Sequence, residues 1–161
     1  MNLLVQSPGW IAMLLAALLV LAAIEDAYRL KISNLICLGV ILLAIAAMVV
    51  LGLRVELWQN FAIFAAVLGI GTMLFSAGVL GGGDVKLLAG VALWTDFLEA
   101  LTVLATVFLA GGLLALVILF TRFVTGSKKT NRFAVLRPGG GIPYGIAIAG
   151  GTLGVLMVQR L

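Results

Sequence analysis

Long apolar runs without a charged side chain dominate this sequence and leave it few ways to fold. No charge precedes Glu25, and further uncharged runs cover 32–53, 57–83, 100–121 and 138–159. Of the 161 residues 64% are hydrophobic and only 10% are charged, more apolar surface than a small soluble domain can bury. Since about 20 apolar residues in a helix cross a bilayer core, the sequence predicts an all-α, polytopic membrane protein.

Polar residues, prolines and glycines divide these runs into six predicted transmembrane helices. We expect them at 9–25, 35–53, 57–79, 84–94, 97–121 and 142–159. The fourth has only 11 residues, which would cover about 16 Å, half of a hydrocarbon core. Because the helices use up the chain, a single transmembrane domain over 1–161 is expected.

Basic residues are unevenly distributed between the two ends of these helices. The loops after the first, third and fifth helices carry eight: Arg29, Lys31, Lys86, Arg122, Lys128, Lys129, Arg132 and Arg137. The opposite end has only Arg54 and Arg160. Lys and Arg favour cytoplasmic loops, so we expect a multi-pass protein of the inner (cytoplasmic) membrane with both termini outside. The short fourth helix must then cross the membrane. If it did not, the loop after the fifth helix would lie outside with its five basic residues, Arg122, Lys128, Lys129, Arg132 and Arg137.

Two further expectations follow from this topology. Trp10, Trp58 and Trp94 fall at the outer ends of predicted helices, where tryptophans anchor membrane proteins at the interface. The formal net charge of +4 is explained by loops that face a lipid bilayer, so nucleic acid is not expected as a partner.

The absence of histidine restricts the chemistry available to the chain. Without His, and with Cys37 as the one cysteine, Ser–His–Asp and Cys–His catalysis are excluded, as are Cys-cluster and HExxH zinc sites. We therefore expect no metal and no cofactor. Acid–base chemistry falls to six carboxylates: Glu25, Asp26, Glu56, Asp84, Asp96 and Glu99.

Two of these acids, Asp26 and Asp84, are expected at the same cytoplasmic end. Asp26 ends the first helix and Asp84 begins the fourth, so two crossings separate them whatever the fourth helix does. Neighbouring carboxylates share a proton because both cannot easily ionise. The ionised member can take a proton from water while the protonated member hydrogen-bonds a scissile carbonyl. The pair predicts aspartic hydrolysis.

A run of three glycines, Gly81 to Gly83, leads directly into Asp84. Lacking Cβ atoms, these residues are expected to let the backbone approach a substrate strand closely and to permit a positive φ at the turn. A phosphate-binding loop is the other use of such a run, but the Walker pattern GxxxxGK[ST] is not met and no strand pattern flanks it. Lys86 is expected either to lower an aspartate pKa or to snorkel to the interface.

Three segments carry a family resemblance. Residues 81–90 read GGGDVKLLAG and contain a GxGD signature; residues 26–34 read DAYRLKISN; residues 143–150 read PYGIAIAG. Together and in this order they resemble the prepilin peptidases, which are GxGD intramembrane aspartyl peptidases. Ser33 stands where that family usually has proline.

The resemblance implies a six-helix endopeptidase that removes the short basic leader of type IV pilin-like precursors at the cytoplasmic face. It implies that Asp26 and Asp84 are the catalytic pair. It also points to supporting or substrate-binding residues: Gly81, Gly82, Gly83, Lys86, Arg29, Asn34, Pro143, Tyr144 and Gly145. The chain lacks the paired CxxC region of the larger, methylating members and is most similar to the small enzymes of Flp (tight-adherence) pilus systems. Archaeal preflagellin peptidases are another branch.

Other interpretations of the same residues remain open at this point. Asp84 would also cap a helix, and Asp26 would also pair with Arg29 or Lys31 at the interface. A proton-coupled small transporter would use both acids as a relay, but it should place them near the bilayer midplane and show repeated halves. A non-catalytic membrane subunit of pilus assembly would keep the fold without the reaction. The oligomeric state is not indicated.

Overall fold

The computed structural model describes residues 1–125 and 141–161, and all regular structure in this part is helical. Within the described residues a 3-10 turn over Val55–Leu57 precedes the fourth of seven α-helices. The helices are α1 (Leu3–Gln6), α2 (Gly9–Arg29), α3 (Asn34–Leu51), α4 (Trp58–Ser76), α5 (Gly82–Ala92), α6 (Phe97–Thr125) and α7 (Tyr144–Arg160). The all-α prediction is confirmed. Four of the predicted loop cations, Lys128, Lys129, Arg132 and Arg137, lie outside the described residues.

Four helices in the described part are long and apolar enough to cross a membrane. These candidate spans are Gly9–Arg29, Asn34–Leu51, Val55–Ser76 and Phe97–Val124. The chain is therefore a membrane protein by length and composition. With 11 and 17 residues, α5 and α7 are shorter than each of these four spans. The six-span prediction is thus confirmed for four helices, and crossing by α5 and α7 stays a prediction.

The first predicted helix ended too early. α2 continues from residue 25 to Arg29, and its last turn contains an ion pair between Glu25 and Arg29, at 3.6 Å. Leu30 then ends the helix in the left-handed conformation, with φ 53°, and donates its N–H to the Asp26 carbonyl. Leucine rarely adopts this conformation, so nothing in the local sequence indicated where α2 ends.

The predicted bounds of the third and fourth helices, which are α4 and α5 in the structure, also differ from the observed ones by a few residues. α4 ends at Ser76 and not at residue 79, because Gly78 turns the chain with φ 73°. α5 begins at Gly82, two residues before the predicted start at Asp84. The positive φ expected within Gly81 to Gly83 is wrong: Gly81 has φ −75°, and the turn is made by Gly78.

Short α5 lies at the centre of the bundle and packs against α3, α4 and α7. Seven of its 11 residues are buried, from Val85 to Ala92 with the exception of exposed Lys86. Glycines bring the neighbours close: a Cβ at Gly71 of α4 would lie 2.6 Å from Val85 Cγ1. Because protein encloses α5 on several sides, its length does not have to match the thickness of the bilayer.

The far end of α5 is fixed by buried polar contacts. The Asn60 side chain donates to the carbonyls of Met1 and Leu93 at 2.9 and 3.0 Å, and Leu3 N–H donates to the Trp94 carbonyl. Trp94 is fully buried and donates its indole N–H to the Val40 carbonyl. The prediction that Trp94 is an interfacial anchor is therefore wrong: its polar group has a partner inside the protein.

Candidate active site

One polar cavity of about 200 Å³ contains both predicted catalytic acids. The end of α2, the loop that follows it and the start of α5 line the cavity. The lining residues are Asp26, Leu30, Lys31, Ile32, Gly81, Gly82, Gly83 and Asp84. Two larger cavities, of about 390 and 360 Å³, lie between α2 and α7, and neither is lined by an Asp or Glu side chain. The two predicted acids therefore meet in the smaller cavity.

Asp26 is buried, with 3% of its surface exposed, and is held by the start of α7. Its Oδ2 accepts a hydrogen bond from the main-chain N–H of Gly145 at 2.7 Å. Pro143 precedes α7, whose first N–H groups have no partner within the helix. One of these free donors thus holds the Asp26 carboxylate in place.

Asp84 is the third residue of α5, is partly buried and lies outside the four candidate spans. Its Oδ2 accepts the N–H of Gly81 at 3.2 Å, so the carboxylate also stabilises the start of its own helix. Burial, and then the neighbouring Asp26 carboxylate, raise the pKa of Asp84 to about 6, against the lowering effect of the Gly81 N–H. Part of the Asp84 population is consequently protonated near neutral pH.

The glycine run is required by close contacts and not by backbone conformation. A Cβ at Gly81 would lie 2.6 Å from Asp84 Oδ2, and one at Gly83 would lie 3.1 to 3.3 Å from the Cβ, N and O atoms of Ile32. At Gly82 the nearest atom, in the Phe75 ring, is at an ordinary 3.4 Å. The first and third glycines therefore bring the loop after α2 and the Asp84 carboxylate against the backbone of α5.

Ile32 lies in one of the three segments that carry the motifs and contacts the other two. It was not among the predicted site residues. Its backbone lies against Gly83, and its Cδ1 would be 2.8 Å from a Cβ placed on Gly145. Glu25, the neighbour of Asp26 in the sequence, supports this loop by accepting the Ser33 N–H at 2.8 Å. The only feature of the sequence that could have indicated the role of Ile32 is its position as a single apolar residue between Lys31 and Ser33 in a polar loop.

The other predicted supporting residues surround the cavity without lining it. Arg29 is exposed and pairs with Glu25, while Lys86 donates to Asn34 Oδ1 at 2.9 Å and so joins α5 to the start of α3. Pro143 is buried beside α7. The ring of Tyr144 lies beside Gly111 of α6, 3.5 Å from where a Cβ would stand. These side chains support the helices that carry the acids.

The described residues contain no group of three or more His, Cys, Asp or Glu side chains placed to hold a metal ion. What the cavity offers is a pair of carboxylates in different surroundings. Asp26 is buried and accepts the N–H of Gly145, whereas Asp84 is partly buried and accepts the N–H of Gly81 at the start of its own helix. Two carboxyl groups in one cavity can share a proton, which is what acid–base catalysis of hydrolysis requires.

Comparison with known proteins supplies a family. A sequence model described as the type IV leader peptidase family matches residues 13–119, more than half of the chain. The matched residues include Asp26, the glycine run and Asp84, but end before Gly145. A search of curated proteins and a search of solved structures each gave no match. The predicted resemblance is thereby confirmed, and this membrane protein belongs to the type IV leader peptidase family.

Proposed function

We propose that this peptidase is a membrane-embedded aspartic endopeptidase that cleaves the leader from type IV pilin-like precursors of the Flp type. The observation that carries this proposal is the shared cavity of Asp26 and Asp84. Family membership supports a leader peptidase activity. With two acids in one cavity, water can be activated between them without a covalent enzyme intermediate.

In the proposed reaction Asp26 is the base and Asp84 the acid. Asp26, held in place by the Gly145 N–H, takes a proton from water as the water oxygen attacks the scissile carbonyl carbon. Asp84, the acid with the raised pKa, gives its proton to the carbonyl oxygen. The tetrahedral intermediate then collapses: the C–N bond breaks, Asp26 returns its proton to the leaving amine, and Asp84 takes a proton back from one of the two hydroxyl groups as the new carboxyl group forms.

The proposed site faces the cytoplasm. Arg29, Lys31 and Lys86 all lie at this end of the bundle, beside or within the cavity, as the positive-inside rule expects of a cytoplasmic end. Both termini are then extracytoplasmic in an inner-membrane protein with one transmembrane peptidase domain over 1–161. The pilin precursor reaches the cavity from the cytoplasm.

Cleavage of a purified pilin precursor by the reconstituted protein tests the proposal. Asp26→Asn and Asp84→Asn should each abolish release of the leader, measured by mass spectrometry, while membrane insertion is unchanged. Asp96→Asn, at the other end of α5, is the matched control and should cleave normally. Full processing by either site variant would overturn the catalytic assignment. Absence of cleavage by the unaltered protein would instead favour a non-catalytic assembly subunit.

A further inference from the structure

Of the described residues that line the cavity of the two aspartates, Lys31 is the one with a basic side chain. It is exposed, and its ammonium group forms no hydrogen bond or ion pair with any described residue. Neither Asp26 nor Asp84 is within ion-pair distance of it. A lysine at the edge of a cavity, without an anion of its own protein beside it, has capacity for an anion from outside.

The other two basic residues around the cavity already have partners within the protein. Arg29 pairs with Glu25 at 3.6 Å, and Lys86 donates to Asn34 Oδ1 at 2.9 Å. The positive-inside rule explains why basic residues gather at a cytoplasmic end, but it does not require one of them to line the cavity. The position of Lys31 therefore needs an explanation besides topology.

The small size of the cavity brings any bound peptide close to this charge. A volume of about 200 Å³ is about two residues across, because a peptide covers at most about 3.5 Å per residue. Lysine carries its ammonium group on a flexible four-carbon chain, which extends its reach beyond the wall. Substrate residues within about four positions of the scissile bond are consequently within range of Lys31.

The charge of the leader indicates on which side of the scissile bond this contact lies. The leader that the proposed function removes is basic, and like charges repel one another in a partly enclosed site. Leader residues are therefore disfavoured beside Lys31, so the residues after the scissile bond lie there. An acidic side chain among these residues would gain a partner, and Lys31 would offset its repulsion from the two aspartates.

We propose that Lys31 is a specificity-determining residue, which selects precursors that carry an Asp or Glu side chain within about four residues after the scissile bond. This inference rests on the proposed peptidase function. With the acid held at Lys31 and the basic leader repelled from it, the precursor enters the cavity in one direction. Because an exposed ion pair contributes little binding energy, the preference should be several-fold and not absolute.

Paired synthetic precursors locate the acid. In each pair one peptide carries Glu and the other Gln, at successive positions on both sides of the scissile bond. At one or two positions after the bond, the unaltered protein should have a KM for the Glu peptide about threefold below that for its Gln partner. Equal KM values throughout, or a preference for Glu before the bond, would overturn the inference while cleavage upheld the peptidase. Failure to cleave any peptide would overturn both.

Charge reversal assigns the preference to Lys31. At the preferred position, Lys31→Glu should have a lower KM for a Lys peptide than for the Glu peptide, the reverse of the unaltered protein. Lys31→Gln should show no preference between them, and it decides the question if Lys31→Glu does not cleave. These comparisons do not depend on how much of a variant folds, because KM is independent of enzyme concentration.

Arg29→Gln is the matched control, because it removes an exposed charge two residues away that pairs with Glu25 and does not line the cavity. It should keep the preference for the Glu peptide. Loss of the preference in Arg29→Gln to the same extent as in Lys31→Gln would overturn the assignment to Lys31. The order of KM values of the unaltered protein, if Lys31→Glu or Lys31→Gln retained it, would overturn the assignment as well.

Discussion

Gly145 donates its main-chain N–H to Oδ2 of Asp26 across 119 positions of sequence, at 2.7 Å. No side chain fits at position 145 beside this contact, because a Cβ there would lie 2.8 Å from that oxygen and 2.9 Å from Asp26 Cβ. The position of this acid thus depends on a glycine of α7, outside the residues matched to the family.

Gly145→Ala should lower kcat for precursor cleavage between about tenfold and a hundredfold, because the methyl group displaces the Asp26 carboxylate from its working position. Gly150→Ala is the control on the same helix, since a Cβ there meets nothing within 4 Å. It should cleave at the normal rate. Equal kcat values for the two variants would contradict the proposed role of the close contact.

Asp26→Asn should lower the pKa of Asp84 below its value of about 6, because it removes the negative charge that opposes ionisation of Asp84. Burial still acts on Asp84, so its pKa should stay above that of a free aspartate. The pH dependence of carbodiimide labelling at Asp84 measures this, since only the protonated acid reacts. The labelling midpoint should move to lower pH. Glu25→Gln, which removes a charge bonded to Ser33, should leave the midpoint in place.

The three glycines before Asp84 should differ in their tolerance of a methyl group. Gly81→Ala and Gly83→Ala should each reduce kcat/KM at least about tenfold, because the new Cβ collides with Asp84 or with the Ile32 backbone. Gly82→Ala meets only ordinary contacts with Phe75 and should be the mildest of the three. Cleavage assays of the three variants provide the order. The greatest loss at Gly82 would show that close packing is not what the run supplies.

Asn60→Ala should lower the free energy of unfolding by about 1 to 3 kcal/mol, because it leaves the buried carbonyls of Met1 and Leu93 without their donor. Thermal unfolding in detergent measures the loss. The kcat of the folded fraction should be unchanged, since Asn60 lies at the end of α5 away from the cavity. Gln59→Ala, at the neighbouring and partly exposed position, should change stability by less than about 0.5 kcal/mol.

The apolar composition and the distribution of charges predicted the parts of the structure that depend on local chemistry. Uncharged runs located the six long or central helices to within a few residues, because burial of the backbone in lipid requires helix. Counting crossings predicted that Asp26 and Asp84 lie at one end, and the structure brings both to one cavity. Neither inference required knowledge of which side chains touch.

Contacts between distant segments could not be predicted in this way. The fit of Ile32 between Gly83 and Gly145 and the burial of Trp94 each depend on residues far away in the chain. At Ser33, by contrast, the contacts that were not predicted are local. Where proline is usual, this chain has a residue whose N–H bonds to Glu25 and whose hydroxyl caps α3, so two local hydrogen bonds fix the loop.

The bond between Gly145 and Asp26 also fixes when the site becomes complete during biosynthesis. A ribosome releases α2 long before α7, so an emerging chain that has been inserted as far as α6 carries Asp26 and Asp84 but no donor for Asp26 Oδ2. Helix α7 supplies that donor. A product of translation that stops before α7 therefore lacks the contact that holds Asp26 in the cavity, and on the proposed mechanism it should be inactive.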